Sequence, residues 1–84
     1  MFVHIVFFKL KNFSDAPEAK QRLESMSGVI PGLLSVEVGI DVFRKNHSWD
    51  IVLETRFQNK ASYEAYAVDP VHLNIVKWLK QAIS

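Results

Sequence analysis

The sequence predicts an α+β domain in which a three-stranded antiparallel sheet carries helices on one face. Three observations lead there. The chain opens on a run of β-branched and aromatic residues free of glycine and proline. Two later stretches alternate in polarity at strand period, and two apolar stripes at helical spacing follow the first and last strands. The order is β-α-β-β-α, with the final helix broken in two. No repeat, linker or low-complexity segment interrupts it, which suits one layered domain over residues 1–84.

The first strand spans Phe2 to Leu10. Phe2, His4, Val6 and Phe8 face one way, and Val3, Ile5 and Phe7 the other. Apolar residues on both faces predict that both faces are covered. Helices from a chain of 84 residues suffice for one face. Packing of two copies across a two-fold axis is the economical cover for the second.

Pro17 suits the first turn of a helix from about Ala16 to Ser27. Its apolar positions Ala19, Leu23, Met26 and Ile30 recur at helical spacing, and Gly28 suits the residue past its end. Ile30-Pro31-Gly32 turns the chain. Leu33 to Asp41 then sets Leu34, Val36, Val38 and Ile40 against Ser35, Glu37 and Gly39. After a charged loop from Phe43 to Ser48, a third strand from Trp49 to Phe57 puts Trp49, Ile51, Leu53, Thr55 and Phe57 on one side. Asp50, Val52, Glu54 and Arg56 fall on the other. Asn59 is placed to cap a short helix bearing Tyr63, Tyr66 and Ala67. Asp69-Pro70 restarts the helix in a new direction, with Val71, Ile75, Trp78, Leu79 and Ala82 as its buried face.

Composition narrows the functions. The absence of cysteine excludes disulfides and thiolate zinc sites. A net charge of +1 with interspersed signs gives no electrostatic case for nucleic acid or an anionic membrane. The longest apolar run, Ile5 to Phe8, is too short to span a bilayer, and no secretory leader is evident. A soluble cytoplasmic domain, paired with a second chain, is the expectation. Nucleotide-binding glycine loops, the H-E-x-x-H metal motif and a serine nucleophile elbow are all missing, so no cofactor or metal is expected.

The histidines carry what chemistry there is. His47, beside Lys45 and Asn46, reads as solvated. His4 lies among apolar strand neighbours, where a histidine is usually a core residue satisfied by one hydrogen bond. His72 occupies the first turn of the helix capped by Asp69, near unpaired backbone N–H groups and the positive end of the helix dipole. That setting favours a neutral ring able to accept a proton. The break can bring Tyr66 and His72 to one mouth of the helix–sheet crevice, with His4 on its floor.

VHIVFFKLK at the start, IPGLLSVEVGID in the middle, and WDIVLETRF with YEAYAVDPVHLNIV resemble the stress-responsive A/B barrel domain family. The resemblance covers almost the whole chain. It implies a ferredoxin-like sheet with two helices on one face, and two subunits whose sheets close a dimeric α/β barrel. Relatives include a plant polyketide cyclase in which a tyrosine and a histidine of the Y…P-x-H segment act together. A first-strand histidine there binds substrate. The matching positions are Tyr66, His72 and His4. Some plant members hold magnesium near the I-P turn, which corresponds to Val29 to Leu33. Family members also continue into a fourth strand, and this chain stops at Lys80 to Ser84, where that strand should begin.

The leading expectation is therefore a homodimer binding a small apolar, oxygenated molecule. Tyr66 and His72 would be the reactive pair, in a cleft lined by His4, Val6, Phe8, Met26, Leu53, Trp78 and Leu79. The alternatives are an enzyme of polyketide cyclase or cofactor-independent monooxygenase type, abstracting a proton α to a carbonyl, and a purely structural stress-response dimer.

Overall fold

A computed structural model describes residues 1–43 and 48–84. His47, expected to be solvated, lies outside the described residues. In chain order the elements are β1 (Phe2–Phe8), a short 3-10 turn (Phe13–Asp15) and α1 (Ala16–Glu24). β2 (Leu33–Ile40), β3 (Ile51–Phe57), α2 (Lys60–Ala67) and α3 (Pro70–Ala82) follow. The sheet is antiparallel in the order β1-β3-β2, so the third strand is central. This is the α+β arrangement that the patterning predicts.

The helices cover one sheet face. Leu53, Thr55 and Phe57 of β3 point into that layer, where Leu23, Met26 and Ile30 meet them as buried residues. The stripe read from the sequence for the first helix is thus the stripe that is buried. Thr55 is fully enclosed, and its hydroxyl donates to the His4 carbonyl oxygen at 3.3 Å. A buried polar group needs such a partner. The other face of β1 remains open: Val3, Ile5 and Phe7 are about half exposed.

Three details differ from the sequence pattern. The helix ends at Glu24, and residues 25–29 continue as turns closed by Ser27 N–H to the Glu24 carbonyl and Val29 N–H to the Met26 carbonyl. A register shift between Leu33 and Ser35 turns Leu33 inward and leaves Leu34 exposed, the reverse of simple alternation. Trp49 and Asp50 also exchange faces relative to expectation. The Asp50 N–H donates to the Phe8 carbonyl at 2.9 Å, and its carboxylate accepts the Leu10 N–H at 2.7 Å. Asp50 is therefore buried, while Trp49 is exposed beside Phe7 with ring centroids 6.2 Å apart.

Both sheet edges are occupied in part. On β2, the Lys20 ammonium of α1 donates to the Val38 carbonyl at 2.8 Å and approaches Glu24 at 3.5 Å. Beyond the end of β1, Leu10 and Ile83 form an isolated antiparallel bridge. Lys11 N–H to the Ala82 carbonyl (2.8 Å) and Ser84 N–H to the Lys9 carbonyl (2.7 Å) reinforce it. The helix runs to Ala82, so where the resemblance puts the start of a fourth strand the chain forms only this bridge beyond β1.

The turn before β2 has its sequence in Ile30-Pro31-Gly32-Leu33. Leu33 N–H closes on the Ile30 carbonyl at 3.2 Å, with Gly32 at φ +82°. Proline second and glycine third are what a type II turn requires. A Cβ at Gly32 would also lie 2.7 Å from the Ser62 side chain. Gly32→Ala is expected to lower stability by about 1–3 kcal/mol. Urea denaturation should show a smaller loss when the same change is made in a Ser62→Gly background. An equal loss in both backgrounds would mean that the close approach contributes nothing.

Candidate functional site

A cavity of about 290 Å³ lies between sheet and helices. His4, Val6 and Phe8 of β1 and Leu53 of β3 form its floor. Tyr66, His72 and Leu79 of the two C-terminal helices close it from above. These expected residues therefore meet around one space. Met26 and Trp78 do not line it. Met26 is fully enclosed in the core, and Trp78 lies on the far flank of α3 with the Arg22 guanidinium 4.7 Å above its ring. A helical stripe gives the buried side of a helix but not which buried residue borders an empty volume.

The helix break builds the upper wall. Asn59 caps α2 by accepting the Ser62 N–H at 2.9 Å. Pro70 has no N–H to continue the helical ladder. Asp69 takes over as cap, accepting the Val71 N–H on its carboxylate at 2.8 Å. In an unbroken helix that N–H would bond to the Ala67 carbonyl. Instead, Nδ1 of His72 lies 3.2 Å from that carbonyl oxygen. A carbonyl can only accept, so Nδ1 carries the hydrogen. The neutral ring is consequently the tautomer whose Nε2 holds a free lone pair.

Burial holds the His72 pKa below its ordinary value, as the charged form is poorly solvated there. The nearby His4 acts in the same direction, whereas the Ala67 carbonyl and Asp69 oppose it. The direction matches the sequence expectation, but the leading cause is desolvation rather than the helix dipole. The Tyr66 ring packs on His72 with centroids 4.1 Å apart. Burial, with help from Tyr63, pushes the Tyr66 phenol up to about 12. Tyr66 is thus a protonated donor beside a neutral acceptor.

Tyr63 is the aromatic site residue that sequence reasoning missed, and Leu23, Ile75 and Lys80 are among the other lining residues it did not name as such. Tyr63 lines the cavity and packs against His4 at 4.8 Å, Phe2 at 5.1 Å and Tyr66 at 6.1 Å between ring centroids. Its place three residues before Tyr66, on the same helical stripe, was the available signal. Nδ1 of His4 is buried without a hydrogen-bond partner. The usual core histidine would have one. Among the described residues no group of histidines and carboxylates is placed to hold a metal ion. In the I-P turn, the Ile30 and Gly32 carbonyls already accept the Leu33 and Gln58 N–H groups.

An antiparallel sheet under helices, with a Tyr–His pair over an apolar cavity, defines a ferredoxin-like α+β domain with a helix–sheet site. The chain belongs to the stress responsive A/B barrel domain family, whose sequence profile matches residues 2–84. A dimeric protein of unknown function and ferredoxin-like fold from Bacteroides fragilis is 26% identical, with a TM-score of 0.83 over 98% of this chain and 85% of that one. A dimeric ferredoxin-like protein of unknown function from a Jannaschia species is also 26% identical, with a TM-score of 0.68 over 87% and 76% of the two chains. An Arabidopsis thaliana protein shares the fold at 16% identity, with a TM-score of 0.82 over 98% and 84%. No curated protein matches the chain. Among the described residues no helix is long and apolar enough to cross a membrane.

The lowered His72 pKa has a consequence for stability. Its contribution is fully present above about pH 6.5, the ordinary histidine value, and is lost as pH falls through the lower folded value, because the unfolded chain takes up the proton first. Chemical denaturation across this range should show a shallower acid loss in His72→Gln than in the native protein. Identical slopes would remove His72 from the account.

Proposed function

We propose that this protein is a cytoplasmic homodimer that binds a small, largely apolar molecule bearing hydroxyl or carbonyl oxygens. The cavity between helices and sheet is the binding site. The observation that carries the reading is the hydrogen bond from His72 to the Ala67 carbonyl, which leaves Nε2 of a cavity-lining ring as an unshared acceptor beside a largely apolar space. The His4 ring and the Tyr66 phenol border the same cavity. A cavity of about 290 Å³ stands at the small end of ligand pockets, commonly ~300–1,000 Å³. The dimeric descriptions of two relatives at 26% identity support pairing, as does the half-exposed apolar face of β1.

Binding is testable by thermal shift against a panel of phenolic and polyketide-like compounds. Compounds that raise the native melting temperature should do so far less in Tyr66→Phe/His72→Ala. Equal shifts in both proteins would place binding elsewhere.

A second reading adds catalysis at the same residues, and the protonation states of the pair favour it. Neutral His72 would remove a proton α to a carbonyl through Nε2. Tyr66, whose phenol keeps its proton to about 12, would donate to the developing enolate oxygen, and His4 would anchor the carbonyl. Solvent deuterium exchange into the α-carbon of a β-keto compound should fall by about 10²–10⁴ in His72→Ala. Unchanged exchange ends this reading. Oxygen uptake with a quinol would instead indicate chemistry of the cofactor-independent monooxygenase type.

A further inference from the structure

The open face of the sheet carries a charge arrangement at odds with its apolar character. Glu54 sits at the middle of β3, the central strand, so its side chain emerges near the centre of that face. Its direct neighbour on β1 is Ile5, and its direct neighbour on β2 is Glu37. Side chains directly opposite in an antiparallel pair stand about 4.5–5.5 Å apart at Cβ, and like charges there repel. Arg56 lies two residues on and pairs with Glu54 at 3.1 Å. Among the described residues no cation lies at ion-pair distance from Glu37. The remaining strand positions on this face, Val3, Ile5, Phe7, Ser35, Gly39 and Val52, carry no charge. From the α1 side, Lys20 and Glu24 border the same groove, but Lys20 is engaged by the Val38 carbonyl and by Glu24.

Two copies meeting through this face would therefore enclose four carboxylates with two guanidiniums, counting Glu37, Glu54 and Arg56 once per copy. An unpaired carboxylate removed from water is costly, and the usual relief is to take up a proton. We infer that pairing through this face is proton-linked: the Glu37–Glu54 couple accepts protons as the two sheets come together, so the dimer tightens as pH falls. The inference rests on the homodimer reading above and adds its regulation. Mild acid favours the paired state, and alkaline conditions favour single copies.

Sedimentation equilibrium of the full chain tests it. The dimer dissociation constant should be about tenfold or more tighter at about pH 5.5 than at about pH 8. Glu37→Gln removes one member of the couple at an exposed position, where it should leave the fold intact by circular dichroism. This variant should pair tightly already at about pH 8 and lose most of the pH dependence. A native dimer with the same dissociation constant at both pH values overturns the proton linkage while leaving pairing intact. A pH dependence that survives in Glu37→Gln overturns its assignment to the carboxylate couple. Monomers at both pH values, at concentrations well above those of ordinary dimers, overturn the pairing on which the inference stands.

Discussion

The geometry of the site depends on one missing hydrogen bond. Proline at position 70 has no N–H, and Asp69 captures the Val71 N–H, so the ladder between α2 and α3 is cut. The Ala67 carbonyl is left for a side chain, and His72 is within reach. From that single interruption follow the change of helix direction, the tautomer of His72 and the placement of its ring against Tyr66. The break also lets α2 present Tyr63 and Tyr66 to the sheet, while α3 presents Ile75 and Leu79 to the same cavity. A helix continuous through this point would pair Val71 N–H with the Ala67 carbonyl and leave His72 Nδ1 without that acceptor.

The sheet divides the remaining work. One face is a conventional core, where Phe57, Leu23, Met26 and Ile51 are wholly enclosed. The other is apolar along β1 and acidic toward β2. Thr55 joins core and site, since its hydroxyl holds the backbone of His4 from the neighbouring strand. The floor of the cavity is thereby held by the central strand.

Much of this was legible in the sequence because it depends on local rules. Strand composition, the stripe Ala19-Leu23-Met26-Ile30, the Pro31-Gly32 turn and the two caps each follow from neighbouring residues, and the folded chain uses all of them. What escaped depends on three-dimensional competition. The bulge that inverts Leu33 and Leu34 arises from pairing with β3, and the inward turn of Asp50 is set by an N–H forty residues away at Leu10. Met26 and Trp78 illustrate the same limit. Both are apolar and on expected stripes, yet neither borders the cavity, because periodicity specifies a direction and not a depth. Tyr63 and Tyr66 stand one helical turn apart, and both rings reach the same space.

Lys20 has a bearing on how copies of this chain can combine. Its ammonium covers a main-chain acceptor on the outer rim of β2, where another strand would otherwise dock. Strand-by-strand addition at a free rim has no natural end point and leads to open fibres, whereas contact through a two-fold face closes on itself. A single charged side chain lying across one carbonyl therefore biases self-association toward finite assemblies and away from filament growth.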